Sequence, residues 1–187
     1  MVHSTDDVCW ICLMGAESEP LVRPCRCPRY VHRGCLGRWQ LQCAGRSEES
    51  HCRFCGNNLP RLDETLTPDH LRSTSVPAYM AILYNEQYYV IPVRPGVDST
   101  EDFSARVKTL IGLPDDAQIN VSLLETYGVE LLVSFQCAAP TTGERLTLSG
   151  IECFNAAATC AAISAAKRAA GEDAGFLWHE PVASQPQ

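Results

Sequence analysis

The chain has 187 residues, 45% hydrophobic and 20% charged, with a formal net charge of −7, which leaves room for one small module and one domain of about 100 residues. The acidic balance excludes binding to phosphate backbones through concentrated positive charge. No window offers the roughly 18 to 20 uncharged apolar residues of a membrane helix; the nearest, residues 151–170, contains Glu152, Asn155, Lys167 and Arg168, so a soluble chain is expected.

The charge is uneven. Residues 1–60 hold six acids and seven arginines, residues 61–187 sixteen acids and eight bases, and the two lysines are Lys108 and Lys167. The cysteines number eleven. An odd count, clustered C-x-x-C pairs and no apolar signal stretch after Met1 predict metal ligation in a reducing compartment, cytoplasmic or nuclear, rather than a disulfide framework.

After a polar lead-in to Val8, Cys9-Trp10-Ile11-Cys12 is a first ligand pair, its two-residue gap letting both sulfurs reach one tetrahedral ion. Pro24-Cys25-Arg26-Cys27 gives a second pair, Tyr30-Val31-His32-Arg33-Gly34-Cys35 a third and Cys52-Arg53-Phe54-Cys55 a fourth. Leu36, Trp39 and Leu41 recur at intervals suited to the apolar face of a short helix. Pairs at this spacing are typical of an interleaved arrangement, with Cys9, Cys12, His32 and Cys35 on one zinc ion and Cys25, Cys27, Cys52 and Cys55 on another. So little apolar material cannot fold residues 9–55 alone, so the metal must supply the folding energy. Cys43 and His51 are spare ligand types, read as a buried thiol and a surface imidazole.

The ligand order of four cysteines, one histidine and three cysteines, with Cys-Trp-Ile-Cys, Pro-Cys-x-Cys, Tyr-Val-His-x-x-Cys-Leu and the following Trp39, resembles the RING-CH (RINGv) zinc finger. The resemblance implies a RING-type ubiquitin ligase that docks a ubiquitin-conjugating enzyme and promotes ubiquitin transfer to a substrate protein. Both zinc ions would be structural, and Ile11, Leu36, Trp39 and Phe54 would form the docking face. The position after the last ligand, where active RING modules often carry a basic residue, is Gly56. The same ligand order occurs in PHD fingers, which makes a non-catalytic reader of histone-type peptide tails the alternative; an aromatic cage or acidic groove would support it, an exposed apolar patch at Ile11 and Trp39 the ligase.

Residues 1–58 are thus expected to form the zinc finger and residues 59–76, rich in Pro, Ser and Thr, a linker. Ala78–Tyr84 and Gln87–Val93 around Asn85-Glu86 predict a hairpin. Ser99 then caps a helix with acids in its first turn, Phe103, Val107, Leu110 and Ile111 on one face, and Gly112 and Pro114 ending it. Alternation at Ile119–Leu123 and Val129–Cys137 predicts a second hairpin, followed by a short strand at 145–148. Ser149-Gly150-Ile151-Glu152 fits a capping box for an alanine-rich helix from Ala156 to Ala170, with Gly171 at its end. Residues 77–171 are therefore expected to be an α+β domain, similar in its leading ββαββ order to a ubiquitin-like β-grasp and used for interaction, and residues 172–187 a flexible tail. No paired nucleophile and base, phosphate loop or dinucleotide fingerprint is present.

Overall fold

The computed structural model describes residues 7–17, 19–84, 87–114, 134–138 and 145–172. The chain divides into two compact units, Met1–Arg72 and Ser73–Gln187. No helix among the described residues is long and apolar enough to cross a membrane.

In the first unit a short hairpin, β1 (Leu21–Val22) against β2 (Val31–His32), pairs Leu21 with His32 and Val22 with Val31. Helix α1 (Arg33–Gln42) follows directly. It has no side-chain N-cap, but the Glu19 carboxylate accepts from the Gly34 amide at 3.0 Å, placing an anion where first-turn N–H groups lack partners. The core is small: Cys9, Leu21, Val31 and Leu36 are buried, with Trp10, Ile11, Tyr30, Cys35, Trp39 and Leu59 packed around them.

Residues 59–76, read from composition as a linker, are folded over much of their length. Helix α2 (Leu62–Leu66) packs on α1 and a 3-10 turn spans Asp69–Leu71; Leu62, Leu66 and Leu71 are buried. Gly37 makes the helix contact possible, since a Cβ there would lie 2.7 Å from Leu66 Cδ2. Gln40, fully buried, donates from Nε2 to the carbonyls of Glu49 and Pro60, both at 2.8 Å, while its Oε1 accepts from the Thr65 hydroxyl at 2.8 Å. Arg33 donates to the Glu64 and Thr67 carbonyls and to Asp69 Oδ1. The stretch is therefore tied to the helix that follows His32.

In the second unit β3 (Ala78–Tyr84) and β4 (Gln87–Val93) form the expected hairpin, in register from Ala78 opposite Val93 to Tyr84 opposite Gln87. Ala78, Met80, Ile91 and Val93 are buried while Tyr79 and Val90 are exposed, the period-two pattern of a half-buried sheet. Asp98 fixes the following loop: its carboxylate, 2% exposed, accepts from the Arg94 amide, Arg94 Nε and Arg106 Nη2 at 2.8–3.0 Å. Helix α3 (Thr100–Ile111) starts with a full capping box between Ser99 and Asp102 and ends at Gly112, left-handed at φ 72°. Its buried stripe is narrower than predicted, Phe103 and Val107 inside but Leu110 43% exposed.

β5 (Ser134–Ala138) pairs antiparallel with β6 (Arg145–Ser149); the strand expected at 119–123, the start of its partner and the tail beyond 172 lie outside the described residues. Helix α4 (Phe154–Ala169) packs on β3 and β5, and its buried Ala156, Ala157, Ala158 and Cys160 are small enough for other elements to approach it closely. Phe154 stacks on Phe103 with ring centroids 4.5 Å apart. The helix does not start from a capping box: Gly150, at φ 101°, turns the chain into a 3-10 turn at Ile151–Cys153, and Cys153 occupies the N-cap without a side-chain bond. The content is mixed helix and strand.

Candidate metal centre

Two C-x-x-C turns build the ends of the site in the same way. After Cys9 and Cys12, the Leu13 amide donates to the Cys9 carbonyl at 2.8 Å; after Cys52 and Cys55, the Gly56 amide donates to the Cys52 carbonyl at 2.8 Å. Both residues are left-handed, Leu13 at φ 63° and Gly56 at φ 66°. Glycine adopts that conformation freely, whereas leucine pays roughly 1 kcal/mol for it. Gly56 thus has a backbone reason of its own: it closes the turn around the last ligand pair.

The interleaved ligand sets come together. The donor atoms of Cys9, Cys12, His32 and Cys35 all lie within 4.8 Å of one another, as do those of Cys25, Cys27, Cys52 and Cys55. Cys27 and Cys52 sulfurs are 3.9 Å apart and those of Cys25 and Cys55 3.7 Å. A zinc ion with four sulfurs at about 2.3 Å sets neighbouring sulfurs about 3.8 Å apart, whereas a disulfide would bring them to about 2.05 Å. In the other set His32 Nδ1 lies 3.3 Å from Cys12 Sγ and 3.8 Å from Cys35 Sγ. His32 is buried, and its Nε2 meets the Gly15 carbonyl at 2.8 Å. A proton on Nε2 donated to that carbonyl leaves the Nδ1 lone pair directed at the cluster, the outer-shell arrangement expected of a metal-bound imidazole.

Electrostatics agree with a dication in each set. Burial opposes ionisation of Cys9, but the backbone groups of Cys12, His32 and Ile11 outweigh it and hold the thiol down at about 7. Burial and the neighbouring Cys12 and Cys9 sulfurs push Cys35 up to about 12. In the second set the Asn57 backbone brings Cys55 down to about 6, whereas Cys27, facing Cys55 and also partly desolvated, rises to about 12. Asn57 Nδ2 also donates to Cys55 Sγ at 3.3 Å. Four sulfurs this close do not all ionise unless a cation offsets their repulsion, so metal binding must release protons. The two sets fit two zinc ions, with every position filled by a protein ligand and none open for water, the hallmark of structural sites.

Cys43, buried, and His51, exposed and bonded through Nδ1 to Ser50 Oγ at 2.8 Å, belong to neither set. Of the four residues expected to form a docking face, Leu36 is only 1% exposed and sits in the core beneath the ligands, so it cannot meet a partner directly. Ile11 and Trp39 are half-buried and Phe54 is 45% exposed. Trp10 joins the last two, edge-to-face with Trp39 at 5.5 Å and with Phe54 at 5.3 Å. These rings, with Pro24, Leu59, Arg29 and Arg53, wall a shallow cleft that also takes in Cys25, Cys27 and Cys52 of the second ligand set. Trp10 escaped sequence reasoning because it lies inside a ligand pair, though a tryptophan between two ligands is itself the signal.

Residues 9–55 match the RING-variant domain family (RINGv). Over 56 residues the chain is 50% identical to the human (Homo sapiens) E3 ubiquitin-protein ligase MARCHF1, a stretch covering 28% of this chain and 18% of that protein. The chain thus spans well under two thirds of that relative's length. No solved structure matches. Ligand order, interleaved geometry and the family match agree: residues 9–55 are a RING-variant domain, built around two zinc sites.

Proposed function

We propose that the first unit acts as a RING-type ubiquitin ligase module, docking a ubiquitin-conjugating enzyme on the face formed by Ile11, Trp10, Trp39 and Phe54. The observation that carries this is the apolar, aromatic cleft beside the zinc sites of a RING-variant domain. Similarity to a relative named as an E3 ubiquitin-protein ligase supports it. In this reading the zinc ions fix the platform, and the chain accelerates transfer by holding the partner's thioester in a reactive pose rather than by supplying an acid or base. The second unit serves interaction, with the exposed Tyr79 and Val90 on the outer face of the β3–β4 hairpin available for protein contact.

The peptide-reader alternative draws no support from the cleft. An aromatic cage needs open ring faces for a cation, yet the rings meet edge-to-face and Arg29 already lies 4.1 Å over Phe54.

The test is discharge of ubiquitin from a panel of charged conjugating enzymes onto free lysine by the zinc-loaded chain. Acceleration with at least one enzyme is expected, with loss of at least tenfold in Ile11→Ala and Phe54→Ala at unchanged zinc content. No acceleration across the panel, with two zinc ions bound, would overturn the ligase reading.

A further inference from the structure

Phe54 has two guanidinium groups close to its ring. Arg29 Cζ lies 4.1 Å and Arg53 Cζ 5.6 Å from its ring centroid, and both arginines line the cleft while no carboxylate does. Arg29 makes no hydrogen bond or ion pair with any described residue, and Arg53 lies within electrostatic reach of Glu48 without pairing to it. Arg26, exposed between Cys25 and Cys27, adds a third charge to the same zinc-binding loops.

A guanidinium lying over a ring is held in place by the ring quadrupole, while the N–H donors at its edge stay free. Those donors form a planar fork matched to a carboxylate. The exposed face thus sets two arginines beside an apolar ring, which is how interfaces combine anchoring with selection.

We propose that this face selects conjugating enzymes that carry an acidic side chain beside the apolar residue packing on Phe54, the carboxylate being bound by Arg29 and Arg53. The proposal rests on the ligase reading above and names its partner class. Like-charge contact would make the face reject enzymes with lysine or arginine at that place.

The test uses the full zinc-loaded chain, conjugating enzymes sorted by the charge beside their docking residue, and the Arg29→Glu/Arg53→Glu double variant, with zinc content and dissociation constant measured beside discharge. Wild type should prefer acidic-surface enzymes and bind them more weakly as salt rises. The double variant should weaken that binding by about tenfold or more and reverse the preference, and a partner variant with its carboxylate changed to arginine should restore binding to it. If no enzyme is discharged by wild type, the ligase reading fails and this proposal falls with it. If wild type discharges them and the double variant does so equally well, only this proposal falls. Loss of zinc from the variant with an unchanged rate per loaded molecule would assign the arginines to offsetting the thiolate charge of the second site, which also overturns it.

Discussion

The two units of this chain reach order by opposite routes. In Met1–Arg72 a handful of apolar side chains is drawn together by eight ligands, and the polar groups around them, Gln40 and Arg33, bond mainly to backbone carbonyls. In Ser73–Gln187 the described elements carry their own apolar faces: Phe103 stacks on Phe154, alanines of α4 are buried, and Asp98 locks the loop before α3. One unit depends on an ion that must arrive from outside; the other depends on surface it hides by itself. Each should therefore fail under a treatment that leaves the other intact.

The largest effect should come from chelation. Structural zinc contributes about 10–16 kcal/mol of apparent binding free energy in small fingers, so stripping it should abolish amide-exchange protection in α1 and the β1–β2 hairpin while α3 and α4 keep theirs. Protection persisting in α1 would show that the apolar core suffices. The mirror experiment is Phe154→Ala, which should destabilise the second unit by about 3–5 kcal/mol, read by denaturant midpoints, with two zinc ions still bound per chain.

Asp98 gives a smaller, pH-dependent difference. Burial works against its charge, but Arg94 and Arg106 outweigh that and hold the carboxyl below the usual aspartate range. Because the folded pKa is depressed, its contribution is complete above the unfolded value of about 4 and is lost as pH falls through the folded value. Asp98→Ala should thus cost roughly 2–4 kcal/mol at pH 7, and the gap from wild type should close toward pH 3. A pH-independent gap would mean that the ion pairs are not what matters there.

Smallest, and opposite in sign, is Leu13→Gly. Releasing the strained left-handed leucine should stabilise the zinc-loaded first unit by about 1 kcal/mol, measured as slower zinc loss to a chelator. No change would show that the turn relaxes around leucine without cost.

The zinc sites were legible in the sequence because ligation needs fixed residue types at short spacing, and nothing in tertiary structure alters that arithmetic. Helix α3 was legible for a similar reason: Ser99, Asp102 and Gly112 act on the backbone within a turn of themselves. What escaped depends on long-range contact. Leu62 and Leu66, among Pro, Thr and Asp, gave too short a pattern to show that Gly37 leaves them a groove on α1. Leu36 fitted both a core and a docking face, and only its 1% exposure decides between them. Gln40 is polar in sequence and wholly buried in the fold, because three partners far apart in the chain meet it there. The alanine-rich helix is legible in the sequence but its start is not, since a glycine turn and a 3-10 turn perform the entry that a capping box would make.

Gln40 and Arg33 carry a practical consequence for anyone excising the RING-variant region. A recombinant fragment ended at Cys55, where the family match stops, would lack Pro60 and Thr65, leaving Gln40 with one of its three partners, and would strip Arg33 of the carbonyls it serves in the following helix. A cut after Arg72 keeps these partners, so the shortest fragment worth expressing is about half as long again as the zinc-ligand stretch itself.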